Sequence, residues 1–183
     1  MKVLTIGTDK KLFEEESAVL VRQKEYASKI DELDIVVFSL KKEQYKSVSF
    51  GNLHIYPTNS STRFSYISDA VKIGKEIIQK NGLNKGYFVI STQDPFETGL
   101  VGYKLKKKFN LPLQIQIHTD FLSSYFKNSF LNHIRVVIAN FLIPKADALR
   151  VVSTVIEDSL NKKFQNIKNK INVLPILLMF QNF

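Results

Sequence analysis

Side chains that can carry protons or bind anions stand where several apolar runs of this sequence stop. The run LQIQI at 113 to 117 is followed by His118, Thr119 and Asp120. An imidazole can act as a general acid or base near neutral pH, and a carboxylate can accept a proton or orient a partner. Three further runs, each read as a strand, are followed by polar residues: Gly7, Thr8 and Asp9; Gln93 and Asp94; and Ser153.

His118 shares one strand face with Gln114 and Gln116, because successive side chains of a strand point to opposite sides. The opposite face carries Leu113, Ile115 and Ile117. A strand buried on both faces of a parallel sheet is expected to be apolar throughout. The glutamines therefore indicate a polar cover or the border of a cleft. A histidine that merely satisfies a local hydrogen bond remains the alternative for His118.

Two of the polar residues have a competing explanation as helix caps. Asp94 and Thr154 each stand three residues before a glutamate, at Glu97 and Glu157. This spacing predicts a reciprocal capping box, and Pro95 suits the first helical position because no N–H is needed there. For Asp94 and Thr154 the structural role is the preferred interpretation.

The elements that must position these groups alternate between two hydrophobic periods. Short runs rich in β-branched and aromatic residues predict strands, and i, i+3, i+4 spacing predicts helices between most of them. Asn81-Gly82 is a typical helix stop. The predicted strands are 2–6, 34–40, 52–57, 87–91, 113–118, 148–153 and 171–175, and the predicted helices are 14–30, 64–81, 95–109, 129–143 and 154–165.

Strands separated by helices run parallel when they share a sheet, since the crossover returns the chain to the starting edge. The sequence therefore predicts an α/β fold, a Rossmann-like doubly wound and mainly parallel sheet flanked by helices. In such sheets ligands bind outside the carboxyl ends of the strands. The polar groups that follow the strands should then lie on one rim.

Composition limits the remaining possibilities. The chain has 183 residues, of which 44% are hydrophobic, and this is enough for one compact domain, predicted to span 1–175. Cysteine is absent and the three histidines lack metal-ligand spacing, so no metal is expected. We find neither a signal-peptide core nor an apolar run of membrane-spanning length, and we expect a cytoplasmic protein.

The positive charge is concentrated in the second half. Residues 1–100 hold 14 Lys/Arg and 13 Asp/Glu, whereas residues 101–183 hold 12 and 4. Such a surface attracts anions of several kinds. Nucleic acid is not expected as a partner, because we find no zinc finger, RNP-like aromatic pair or helix-turn-helix.

An apolar stripe lies on the helix predicted at 129–143. It consists of Phe130, Ile134, Val137 and Phe141, with cations available around it at Lys127, Arg135 and Lys145. Packing of the stripe on the sheet is the preferred interpretation. Peripheral contact with an anionic membrane is the alternative.

Common nucleotide-binding and hydrolase signatures do not occur. The loop GTDKKL after the first strand is not a GxGxxG fingerprint, and there is no GxxxxGK[ST] or GxSxG segment. A flavodoxin-like or other mononucleotide-binding domain shares the predicted fold class and stays open, because fold alone does not determine function.

Four segments in order resemble the N-terminal domain of family-4 glycosyltransferases, which have the GT-B fold. They are STQDPFETGLVGYKL, LPLQIQIHTDF, PKADALRVVSTVIEDSL and KINVLP. The resemblance spans essentially the whole chain and is strongest from residue 87 onward. The fold would then be one half of a GT-B architecture.

The resemblance implies transfer of a sugar from a nucleotide-sugar donor to a glycan or lipid-linked acceptor, usually with retention and without an obligatory metal or other cofactor. In such enzymes the N-terminal domain mostly holds the acceptor, and the active site lies between the two domains.

Several residues take expected roles through the resemblance. His118 matches the family histidine that faces the transferred sugar, and Asp120 lies in the following loop; these two are the catalytic candidates. Gly7, Thr8 and Asp9 match the loop that approaches donor phosphates and acceptor, although Thr8 replaces the second glycine of the usual pair. The remaining binding candidates are Gln93, Asp94, Thr119 and Ser153.

The resemblance also sets expectations for the C-terminal end. Family members continue from the KINVLP segment into a donor-binding domain with a Glu-x7-Glu motif, whereas residues 176–183 are interpreted as the start of a linker or a truncated tail. We expect this chain alone to transfer little or no sugar without that domain or a separate donor-domain chain. The alternative is a non-catalytic module that binds a glycan or lipid acceptor, or a split-enzyme subunit, with the apolar tail as an interface.

Overall fold

The computed structural model describes residues 1–81 and 87–175, and they form an eight-stranded sheet flanked by five helices. The predicted stop at Gly82 and the tail at 176–183 lie outside the described residues. The strands are β1 Lys2–Gly7, β2 Glu32–Val37, β3 Val48–Phe50, β4 Leu53–Pro57, β5 Phe88–Thr92, β6 Leu113–Ile117, β7 Ala148–Val151 and β8 Ile171–Val173. The helices are α1 Ala18–Ala27, α2 Tyr66–Asn81, α3 Glu97–Phe109, α4 Phe130–Leu142 and α5 Thr154–Lys163.

The strand order is β3-β4-β2-β1-β5-β6-β7-β8, and every neighbouring pair except β3 with β4 is parallel. The predicted Rossmann-like, mainly parallel α/β sheet is confirmed. The chain builds outward from β1 in one direction and then returns to add β5 on the other side. The junction of β1 and β5 is therefore the topological switch point, where ligands of open sheets bind.

Two apolar clusters hold the layers together. The larger one joins one face of the sheet to α2, α3, α4 and α5, and includes the fully buried Leu4, Ile90 and Ile115. The smaller one lies on the opposite face, where Leu20 and Ala27 of α1 pack over β2 and β4. Burial of this apolar surface is the main favourable contribution to folding.

A glycine on α3 brings that helix close to the sheet. A Cβ on Gly102 would lie 2.5 Å from Cγ2 of Thr92 and 2.8 Å from Cδ1 of Leu113. The helix can approach β5 and β6 this closely because the position has no side chain.

The sequence patterns missed one strand and placed the starts of helices α1, α2 and α3 two or more residues too early. The short β3 pairs antiparallel with β4, so the predicted strand at 52–57 is the second arm of a hairpin. Helix α1 begins at Ala18 rather than at 14, because the Ser17 hydroxyl accepts the backbone N–H of Leu20 and caps the helix. Helices α2 and α3 begin at Tyr66 and Glu97 rather than at 64 and 95, whereas α5 begins at 154, as predicted.

The predicted capping boxes at Asp94 and Thr154 are wrong. The N-cap residue of α3 is Phe96, and Asp94 instead accepts the N–H of Phe96 at 2.7 Å from outside the helix. The N-cap residue of α5 is Ser153, whose hydroxyl accepts the N–H of Ile156 at 3.4 Å. Serine and threonine hydroxyls can both cap a helix. Ser153 occupies the N-cap position here, and α5 therefore begins at Thr154.

The preferred interpretation of the α4 stripe is also wrong. Phe130 is 82% exposed and Val137 is 68% exposed, so the stripe does not pack on the sheet. The buried side of α4 is instead formed by Ala139 and Leu142. Arg135 is not free beside the stripe, because it forms an ion pair with Glu97 of α3 at 3.0 Å.

No helix within the described ranges is both long and apolar enough to cross a membrane.

Candidate functional site

The polar groups that end four adjacent strands lie on one rim of the sheet. β1, β5, β6 and β7 are consecutive neighbours in the sheet, and all run parallel. Their carboxyl ends therefore face the same side, as expected from the sequence. We call Gly7, Thr8, Gln93, His118 and Ser153 the rim.

Gln93 spans the switch point between β1 and β5. Its side-chain Oε1 accepts the backbone N–H of Thr8 at 2.7 Å and lies 3.3 Å from the Thr8 hydroxyl. A Cβ on Gly7 would come within 2.9 Å of the same oxygen. Glycine at position 7 therefore allows the amide of Gln93 to close over the end of β1. This contact brings three predicted site residues together.

His118 stands at the exposed end of β6 and heads a chain of hydrogen bonds along one sheet face. Its Nε2 lies 3.3 Å from Oε1 of Gln116, which also accepts from Nη1 of Arg150 at 3.2 Å. The Gln116 amide donates to Ser91 Oγ at 3.1 Å, and that hydroxyl donates to Gln114 at 3.3 Å. We call these five residues the polar ladder.

The polar ladder determines the tautomer of the histidine. Because Oε1 of Gln116 can only accept, the nitrogen of His118 that faces it must carry a proton. The neutral ring is then the Nε2–H tautomer, with Nδ1 as its remaining acceptor. Partial loss of hydration, and then the positive charges of Arg150 and Arg22, lower the pKa of His118 below its usual value. The ring is therefore neutral near pH 7.

Sequence reasoning identified the two glutamines of the ladder but missed Arg150 and Ser91. Arg150 stands between Leu149 and Val151, and Ser91 follows the apolar run FVI of β5. A polar residue inside an apolar strand was the available signal. What could not be read was the strand register, which places Arg150 directly beside Gln116.

Asp120 is held by a different set of contacts. One carboxylate oxygen accepts the N–H of Leu122 at 3.1 Å, and the other accepts the Ser159 hydroxyl of α5 at 2.9 Å. Asp120 thus fixes the loop after β6 to α5. It also lines a cavity of about 390 Å³ between α4 and α5.

The other predicted residues take mainly local positions. Asp9 accepts the N–H of Lys11 at 3.1 Å and caps a 3-10 turn. Asp94 fixes the turn before α3, and burial raises the pKa of its carboxyl group. Thr119 is exposed beside His118, and Ser153 caps α5.

Residues 1–81 and 87–175 contain no group of three His, Cys, Asp or Glu side chains that could together hold a metal ion.

Comparisons with known proteins agree with this architecture. No protein-family model matches the chain. An uncharacterized glycosyltransferase of Methanocaldococcus jannaschii is 28% identical over 145 residues, which is 77% of this chain and 38% of that protein.

Two solved structures of UDP-N-acetylglucosamine 2-epimerases contain the same fold over part of their length. The protein from Methanocaldococcus jannaschii superposes with a TM-score of 0.58 at 15% identity, over 94% of this chain and 45% of its own. The protein from Rickettsia bellii gives a TM-score of 0.59 at 10% identity, over 93% and 43%. The chain thus spans less than half the length of each of these relatives. Its fold is also found in these UDP-N-acetylglucosamine 2-epimerases, and its matched relative bears the name of a glycosyltransferase.

Proposed function

We propose that this chain is the acceptor-side, N-terminal half of a nucleotide-sugar-dependent, retaining glycosyltransferase of the family-4 type. One observation carries the proposal: the exposed His118, aligned by Gln116 and Arg150, stands on the same rim as the Gln93 bridge at the switch point. The glycosyltransferase name of the matched relative supports the reaction class.

His118 is the proposed contact to the transferred sugar. As the neutral Nε2–H tautomer, it offers Nδ1 as an acceptor for a sugar hydroxyl, and a neutral ring costs less to bring into a closed site than a charged one. The rim loop of Gly7, Thr8 and Asp9 is proposed to meet the donor phosphates and the acceptor. Asp120 is proposed to act through the loop that it fixes, beside His118 and Thr119.

The proposal includes a second protein surface that faces the rim across a cleft, which we call the second wall. Stabilisation of the leaving phosphates and positioning of the nucleophile require groups on both sides of a cleft. Because the chain spans less than half of its relatives, we propose that a donor-binding domain, in the same or a separate chain, supplies that wall. No metal or other cofactor is included in the proposal.

The test follows the His118 ring by NMR while nucleotide sugars and glycan or lipid-linked acceptors are added to the 183-residue chain. We expect the His118 signals to move, and the affinity to fall about threefold to tenfold in His118→Ala, the cost of one hydrogen bond. His133→Ala is the matched control, since that exposed histidine lies on α4, away from the rim. Binding that leaves the His118 signals unchanged would contradict the proposal.

A transfer assay with the same compounds separates the two functional hypotheses. We expect little or no product from this chain alone, and transfer once a donor-domain chain is supplied. Robust metal-independent transfer by residues 1–183 alone would refute the need for a second wall. Acceptor binding without transfer, even with the donor domain present, would identify a non-catalytic binding module instead.

A further inference from the structure

The outer side of α4 is an exposed apolar surface. Phe130, Ile134, Val137 and Phe141, which we call the outer stripe, are 82%, 42%, 68% and 47% exposed. Tyr125, in the loop before the helix, is 89% exposed. Single exposed apolar side chains are common, but a contiguous row of them marks a surface that meets another apolar phase.

The segment that carries the outer stripe has charged side chains of one sign. From Phe121 to Ala146 the sequence contains no Asp or Glu. Lys145 places its Nζ 3.9 Å from the ring centroid of Phe141, and Lys127 precedes the helix. The acidic Glu97 that approaches α4 is neutralised by its ion pair with Arg135. A partner for this surface must therefore be apolar and anionic.

A cavity on the adjacent flank of α4 adds a place for an anion. This cavity, which we call the lysine pocket, has a volume of about 390 Å³ and is lined by Lys127, Lys162 and Lys163 with one carboxylate, Asp120. Asn140 of α4 also lines it. Three lysines against one carboxylate give the pocket a net positive charge, which suits an anionic group.

We propose that the outer stripe and the lysine pocket together dock this protein on the surface of a bilayer that contains anionic phospholipid. The stripe enters the interfacial region of the bilayer, as the apolar face of an amphipathic helix does. The lysines of the pocket contact the phosphodiester of the headgroup. The proposal does not depend on the proposed glycosyl transfer.

The cations favour a lipid surface over a second copy of this chain. A twofold dimer through the outer stripe would bring identical surfaces together. The lysines of one copy would then approach those of the other, and like charges in an interface are costly. An anionic bilayer instead attracts each lysine near its surface.

The experiment is co-sedimentation of the purified chain with vesicles of phosphatidylcholine, with or without phosphatidylglycerol. We expect binding that requires phosphatidylglycerol and weakens as salt is raised. Phe130→Ser with Phe141→Ser should lower the partition coefficient about tenfold or more, because two exposed aromatic groups no longer leave water. Phe64→Ser is the matched control, since Phe64 is 97% exposed elsewhere, and it should bind as the wild type does.

A second set of variants tests the lysine pocket. Changing Lys127, Lys162 and Lys163 to Gln should lower the partition coefficient on the order of 100-fold, at about fivefold per lysine. The matched control changes the exposed Lys46, Lys72 and Lys80, which removes the same charge from other surfaces. A larger loss in the pocket variant supports the proposal. Equal losses in both sets, unchanged binding in the Phe130/Phe141 variant, or no binding to phosphatidylglycerol vesicles would overturn it.

Discussion

The two faces of the five-residue strand β6 have opposite character: one is apolar and buried, and the other is polar. Leu113, Ile115 and Ile117 are at most 1% exposed and pack beneath the helices, whereas Gln114 and Gln116 on the other face are half-buried and hydrogen-bonded. Farther along that other face, where α1 covers β2 and β4, the residues are apolar again. The larger apolar cluster therefore stabilises the sheet from one side. The opposite face of β6, next to the rim, can then carry polar side chains.

The largest expected loss of stability comes from shortening a side chain on the buried face of β6. Ile115→Ala should lower the free energy of unfolding by about 2–5 kcal/mol, because Ile115 is 0% exposed and the neighbouring helices cannot fully close the cavity. Gln116→Ala is the comparison on the opposite face and should cost about 1–2 kcal/mol, since water can replace some of its hydrogen bonds. Urea unfolding measures both. An equal cost for the two would show that the faces contribute alike to stability.

A smaller effect is expected from filling the close approach of α3. Gly102→Ala places a methyl group 2.5 Å from Thr92 Cγ2, so we expect a loss of about 1–3 kcal/mol from overpacking. Gly7→Ala is the matched change at the rim, where the obstructing atom is the mobile end of Gln93. It should cost less than about 1 kcal/mol while moving the Thr8 amide signal. Thermal unfolding measures the loss of stability in both variants, and an amide NMR spectrum follows Thr8. A larger loss of stability in Gly7→Ala than in Gly102→Ala would contradict this prediction.

The same contrast explains what could be predicted from the sequence. The alternation in β6 predicted both of its faces and the position of His118, because period-two patterning is local. The pairing of Gln116 with Arg150 depends on strand register between segments that are 34 residues apart, which composition and periodicity do not specify.

Helix α4 shows a second limit of sequence patterns. Its apolar positions fall on two sides, one with Ala139 and Leu142 and one with Phe130 and Val137. Periodicity predicts that a face is apolar but not which neighbour covers it. The row with two phenylalanines suggested the buried side, yet Ala139 and Leu142 pack inward, where α3 approaches closely. A Cβ on Gly99 of α3 would lie only 2.8 Å from Leu142 Cδ1.

Arg150→Met should change the stability least among these variants, but it should clearly shift the pKa of His118. The substitution removes the hydrogen bond from Nη1 to Gln116, but it also removes a buried Nε–H that has no partner in the described structure. The free energy of unfolding should therefore change by less than about 1.5 kcal/mol. Loss of the nearby positive charge favours the imidazolium, and the pKa of His118 should rise toward 6.5.

The sign of the pH effect on stability follows from the same lowered pKa. The unfolded chain binds the His118 proton more tightly than the folded one, so this contribution to stability is complete above about pH 6.5 and is lost as the pH falls toward the folded-state pKa. NMR titration of His118 measures the shift, and Arg22→Met is the control with the smaller expected rise, because Arg150 has the stronger influence on the ring. A His118 pKa that falls or stays constant in Arg150→Met would show that the polar ladder does not control the charge of the ring.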